Sequence, residues 1–306
     1  MIRSFLKRLP VPAGCVALGL MGLGTLLGNG SRVFLLLFGI PSVLIQLSVL
    51  MKLCLPGELK KLAGDPVSLS TLSGTCMAMM LTAAPMRSAL HLRAAVVLWA
   101  AGLVLHLAVL LAFGAKLFRE RPGINAVRGS WLLVYVGIAA ASISAPVFSA
   151  ELIGRILLIP AALGAVIILP LVYRAEHAAL VPEKQRPLFC ITAAPVSIWL
   201  VGYLSSVPQP SGSLVMFLSI ASQLLIIPAL LRFFRTYRDP FSPSFAAFTF
   251  PFVISATALK RSAAFLSLTG RLRVLIMLEI FSALVFCTFT VWKYWRSLFP
   301  AEKAAA

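Results

Sequence analysis

The stretch AAVVLWAAGLVLHLAVLLAF, residues 94–113, decides the fold. Its apolar side chains cover every face, with His106 the single ionisable interruption. About 20 helical residues span a hydrocarbon core roughly 30 Å thick. A strand of a membrane barrel would instead alternate polar and apolar positions, which this stretch and the similar run Val33 to Leu50 do not. Both therefore read as transmembrane helices. The whole chain agrees: of 306 residues, 60% are hydrophobic and 12% charged, with a mean hydropathy of +0.98. A soluble domain runs at about 45–50% apolar and about 25% charged, so a soluble globular protein is excluded.

Working outward, polar or Pro-marked breaks leave ten apolar segments, near 11–28, 33–53, 69–86, 94–115, 131–149, 152–173, 188–206, 213–234, 244–260 and 272–292. The breaks are too short for an independent domain, which needs at least about 50 residues. The expectation is an all-α integral membrane protein, 1–306 forming one domain of ten spans. Arg3, Lys7 and Arg8 before an apolar run imitate a signal peptide, but Pro10 and Pro12 favour a retained first span.

Lys and Arg number 27 against 9 Asp and Glu, a formal charge of +18. In a soluble protein this would suggest nucleic acid. Here the basic residues flank the spans. With a cytoplasmic N-terminus, nineteen fall on the cytoplasmic side and eight (Arg32, Arg87, Arg93, Arg155, Lys260, Arg261, Arg271, Arg273) on the other. That is the positive-inside pattern, with both termini cytoplasmic and no nucleic-acid partner.

Pro12, Pro66, Pro122, Pro187 and Pro240 precede or open the odd-numbered spans, which suggests five helical hairpins; chance placement among 20 prolines is the alternative. In 17-residue windows the odd spans hold 39 Gly, Ala, Ser or Thr of 85 positions and the even spans 20 of 85. Small residues allow close helix contact or leave room around an axis, whereas Leu, Ile, Val and Phe can face acyl chains at no cost. The expected arrangement is an inner ring of odd helices around a central pore, sheathed by even ones. Tight packing alone, as Gly24 and Gly28 could mediate, would also account for the pattern.

Catalytic chemistry is sparse. His91, His106 and His177 lie on different segments, no HExxH or GxSxG occurs, and Cys15, Cys54, Cys76, Cys190 and Cys287 show no CxxC spacing. Neither an enzyme, a metal site nor a cofactor is expected. The intramembrane ionisable groups are His106, Glu279 and the Glu151/Arg155 pair, whose i,i+4 spacing suits a surface ion pair. Glu279 suits a packing carboxylate or a proton relay. Hydroxyls on the odd spans, among them Thr75, Ser142, Thr192 and Thr257, are candidate pore-lining groups that would hold an anion weakly. Back-bonding to the helix is the alternative for each.

The segment FSPSFAAFTFPFVISATALK, residues 241–260, resembles the ninth span of the tellurite-resistance/dicarboxylate transporter family, which includes the slow anion channels of plant guard cells. Val11-Pro12-Ala13-Gly14, with Gly19 and Gly22, is similar to that family's first span, although Cys15 and Ala246–Ala247 depart from its pattern. The resemblance implies a pore through each protomer of a homotrimer in the bacterial inner membrane. It would pass small inorganic or organic anions such as chloride, nitrate, sulfite, tellurite or dicarboxylates. The family's gating phenylalanine falls on Phe250, beside Pro251 as the gate-helix kink. One helix face would then present Phe250 with Ala246 or Ala247, Val253 or Ile254, and Thr257. Lys260 would sit at the extracytoplasmic mouth and attract anions. A proton-coupled carrier of dicarboxylate, sulfite or tellurium oxyanions is the alternative, and it would need Glu279.

Overall fold

The computed structural model describes residues 2–28, 31–89 and 92–299; His91 and Lys303 lie outside them. The described residues form helices and turns without strands. Thirteen α-helices follow in order: α1 Ile2–Arg8, α2 Ala13–Leu27, α3 Arg32–Leu53, α4 Glu58–Gly64, α5 Pro66–Ala89, α6 Leu92–Glu120, α7 Trp131–Tyr135, α8 Ala139–Ser144, α9 Glu151–His177, α10 Ala194–Ser206, α11 Gly212–Thr236, α12 Phe250–Phe265 and α13 Arg273–Leu298. Short 3-10 turns precede or follow several of them, at Ala145–Phe148, Glu183–Ala193 and Pro243–Phe248.

Among the described residues, seven helical segments are long and apolar enough to cross a membrane: α3, α5, α6, α9, α11, α13 and the composite segment Glu183–Ser206. Burial divides these into two kinds. In their apolar windows the two odd-span segments, α5 and Glu183–Ser206, are 78% and 72% buried, against 22–33% for α3, α6, α9, α11 and α13. The small-residue helices form the interior and the bulky ones the exterior. Val33, Leu111, Val166 and Val274 on the outer helices are each at least two-thirds exposed, an arrangement that water would penalise and acyl chains do not.

Close approach inside is permitted by glycine at particular contacts. A Cβ on Gly19 of α2 would lie 2.6 Å from Thr249 Oγ1 and 3.0 Å from Phe250 N, and one on Gly14 would collide with Thr75 Oγ1 of α5. The backbone of α2 therefore touches both α5 and the start of α12.

Three of the segments expected to be continuous spans are interrupted. Residues 131–149 divide into α7, α8 and a 3-10 turn; in 188–206 and 244–260 a 3-10 stretch runs into α10 and α12. Pro146, Pro195 and Pro251 each occupy the first or second position of the element that follows the break, where the missing N–H costs nothing. Irregular backbone at membrane depth is tolerated only when buried in protein or lining a cavity, and these segments are interior.

Two short helices occupy connections read from the sequence as polar breaks. Lys52, at the end of α3, donates to the carbonyls of Leu6 (3.2 Å) and Lys7 (3.0 Å), closing the C-terminal turn of α1. It also pairs with Glu58 of α4 at 3.2 Å, and Glu58 pairs with Lys61 at 2.7 Å. The Glu151/Arg155 ion pair expected from spacing is not among those formed by the described residues. Glu151 opens α9 and Arg155 stays exposed.

Candidate functional site: a line of cavities broken at Phe250

Among the described residues, four of the cavities lie along the interior, and Phe250 borders three of them. At the end carrying the N-terminus a vestibule of about 520 Å³ opens between α1, α4, the start of α5 and the loops at 184–185 and 241–244. At the far end a second vestibule of about 340 Å³ is walled by Gly22, Thr25 and Leu26 of α2, Leu81 and Ala84 of α5, Ile143 and Ser144 around α8, Val201 of α10, and Phe250, Val253, Ile254, Thr257, Lys260 and Arg261 of α12. All five odd segments contribute to that wall.

Between the vestibules lie two voids of about 10 Å³ each. One touches Pro12, Cys15, Thr71, Ala246, Ala247, Phe250 and Pro251; the other touches Met77, Leu133, Gly137, Ile198 and Phe250. A cavity needs about 10–15 Å³ to hold a single water, so each of these two voids has room for one water at most. Pro12 belongs to both the N-terminal vestibule and the first void, and Phe250 to both voids and the far vestibule.

The local chain explains the ring's position. Thr249, with φ −101° and ψ −89°, breaks the backbone between the 3-10 turn and α12. Its hydroxyl lies 3.0 Å from Cys15 O of α2 and 2.8 Å from Ala246 O, so the break is anchored to the neighbouring helix. Phe250 is the first residue of α12 and is 2% exposed. Pro251 is its second, so the sequence expectation of a kink within a continuous helix is corrected: the helix begins here rather than bends.

Phe252 points elsewhere, its ring 4.7 Å from that of Phe286 and 6.3 Å from that of Phe233 in an aromatic cluster with α11 and α13. The face expected from helical periodicity does come together, since Ala246, Ala247, Phe250, Val253, Ile254 and Thr257 all line the cavities. Thr257 Oγ1 donates back to Val253 O at 2.8 Å, so its proton is already engaged.

Thr75, Ser142 and Thr192 are not in these walls. Thr75 is fully buried against Gly14 and its hydroxyl has no partner. Ser142 donates to Gly154 O of α9 at 2.7 Å, while its own carbonyl accepts from Ser206 at 2.6 Å, tying three segments together. Thr192 back-bonds to Phe189 O at 2.8 Å. Polarity on an odd span marks helix contact as readily as lumen, and the helical face decides between them.

Lys260 does line the far vestibule, its Nζ donating to Leu26 O at 3.2 Å and so capping the end of α2. Arg261 stands beside it in the same wall, its guanidinium 2.9 Å from Ser205 Oγ. Neither has a carboxylate partner among the described residues. Arg261 is a site residue that sequence reasoning passed over, although a second cation directly after Lys260 was the available signal.

Glu279 of α13 lies behind α12, away from the cavities. It is 7% exposed and accepts from Ser255 Oγ at 3.0 Å through Oε2, with the Gln223 side chain also beside its carboxyl. His106 is fully buried with its Nε2 3.0 Å from Val134 O, a contact between α6 and α7. Among the described residues no group of three or more His, Cys, Asp or Glu could hold a metal.

The arrangement places a basic vestibule at one end, a vestibule walled by apolar and small residues with Lys260 and Arg261 at the other, and Phe250 beside the far vestibule and both small voids. No curated protein matches the sequence. Residues 9–294, nearly the whole chain, match the family of voltage-dependent anion channels (SLAC1), and the chain belongs to that family of anion channels and transporters.

Proposed function

We propose that this protein is an anion channel with one pore through the interior of each chain, closed at Phe250. The observation that carries the reading is the shared residue: Phe250 borders both small voids and the far vestibule, and each void has room for about one water. An anion at this level would have to shed its water against an apolar face with no charge to replace it. Lys260 and Arg261 at one end and the basic vestibule at the other would raise the local anion concentration.

In this reading residues 1–306 form one domain, the ten helical segments all cross the bilayer as five hairpins, and the interrupted odd ones surround the pore. Both termini face the cytoplasm of a bacterial inner membrane, following the basic-residue bias. The assembly is a homotrimer, the role of the chain is not enzymatic, and its cargo is a small inorganic or organic anion such as chloride, nitrate, sulfite, tellurite or a dicarboxylate. Purified protein in a planar bilayer under opposed anion gradients tests this. A channel gives large ohmic current that reverses near the anion equilibrium potential, and absence of current from wild type and from Phe250→Ala alike would reject it.

The buried Glu279 carboxyl, an ionisable group within a spanning helix, favours a second reading as a proton-coupled carrier. Uptake driven by a proton gradient and abolished by Glu279→Gln would support the carrier. Gradient-independent flux in both proteins would support the channel.

A further inference from the structure

We propose that the vestibule at the N-terminal end is a binding site for multiply charged, phosphate-bearing anions, held between Lys7, Arg8 and Lys184. The inference deepens the anion-channel reading by giving this end a ligand of its own, and it is tested by binding, which needs no conduction.

The cavity, about 520 Å³, is within the range of small-molecule sites. Its acidic residues are already engaged. Asp65 accepts from the backbone N–H groups of Val67 and Ser68 at 3.1 Å each, capping α5, and Glu58 is held by Lys52 and Lys61. Lys52 is further committed to the carbonyls of Leu6 and Lys7. What remains is positive and unpaired. The side chains of Lys7 and Arg8 on α1 and of Lys184 on the facing 3-10 segment make no ion pair among the described residues, and all three line the cavity.

Three like charges brought to one cavity by two separate segments repel one another, and a ligand with several negative charges relieves more of that repulsion than chloride does. A phosphate also presents several strong acceptor oxygens. The hydroxyls of Ser68 and Ser244, in the same wall, supply neutral donors beside the cations. The phosphate could belong to a soluble metabolite or to a lipid phosphomonoester headgroup.

The full chain is purified in phosphatidylcholine nanodiscs and titrated with inorganic pyrophosphate in magnesium-free buffer at fixed ionic strength, with thermal stability and calorimetry as readouts. Saturable binding is expected, weakened about tenfold or more in Arg8→Gln/Lys184→Gln and unchanged in Lys260→Gln at the far end. As a measurement on the unaltered chain, pyrophosphate should slow acylation of Lys7 and Lys184 but not of the exposed Lys60. Nanodiscs carrying phosphatidic acid separate the sources: if they weaken pyrophosphate binding the site takes the lipid headgroup, and if they do not it takes the soluble ligand. Binding matched by chloride at equal ionic strength, equal affinity in the double variant, or unprotected Lys7 and Lys184 would overturn the proposal. Failure of Phe250→Ala to conduct would leave it standing, so the two readings fail separately.

Discussion

Replacing Phe250 by Ala tests the gate most directly, because the gate and the ordinary core predict opposite outcomes. Phe250 is 2% exposed, and truncating a buried Phe in a well-packed core costs about 3–5 kcal/mol through lost burial and the cavity left behind. Open space nevertheless adjoins it. A 340 Å³ vestibule and two voids of about 10 Å³ border the residue, so the space left by truncation extends existing cavities instead of sealing a new one inside a core. The loss of stability should therefore fall below the ~3 kcal/mol floor of that range. Phe252, packed against Phe286 and Phe233, should cost the full amount when truncated and leave the pore shut. If Phe250 is the gate, removing its ring should join the voids to the far vestibule, since it lines all three. Current through Phe250→Ala should exceed wild type by at least about tenfold, equivalent to some 1.4 kcal/mol off the barrier. Bilayer current and thermal unfolding measured on both variants decide the matter. If Phe250→Ala destabilises as much as Phe252→Ala without raising current, or if Phe252→Ala opens the pore equally, the gate is misassigned.

Gly19→Ala places a methyl 3.0 Å from the Phe250 nitrogen and 2.6 Å from Thr249 Oγ1, against backbone that cannot rotate away, and should destabilise by about 1–3 kcal/mol in thermal unfolding. Gly64→Ala, which meets nothing, is its control. Lys260→Gln should lower anion conductance most at low ionic strength, where the Debye length is long, and an effect independent of salt would leave Lys260 with only its capping bond to Leu26. The hydrogen bond from Lys61, with the Lys52 charge, holds the Glu58 carboxyl below its ordinary pKa of 4.5. Because the folded value is the lower one, the stabilisation is complete above about 4.5 and lost as pH falls below it. Wild type should thus lose more thermal stability than Glu58→Gln on acidification through that window, and parallel curves would show that the pair contributes nothing.

Two layers of this fold were written in composition. Bulky runs such as 94–113 became outward helices because lipid accepts them on every face, and the small-residue segments became interior because only they allow backbones as close as Gly19 to Thr249. The face of α12 was legible too, since helical spacing from Phe250 reaches Val253, Ile254 and Thr257 whether the helix is isolated or packed. What was not legible depends on which way a helix is turned about its axis. Thr75, Ser142 and Thr192 are as polar as Thr257 and lie on equally small-residue segments, yet Thr75 and Ser142 are turned toward neighbouring helices and Thr192 bonds back to its own turn. The odd segments have no distinct polar and apolar faces from which that rotation could be read, since nearly all of each helix is buried. The interruptions at 131–149, 188–206 and 244–260 were hidden for a related reason. Pro146, Pro195 and Pro251 stand where a helix starts, and without tertiary context a start after a break reads the same as a kink within a span. For the gate proposed above, such a break would have a use that a continuous helix lacks. Phe250 is the first residue of α12 and follows the Thr249 hydroxyl anchor on α2, so a rotation at that one residue would move the ring without unwinding the helix behind it.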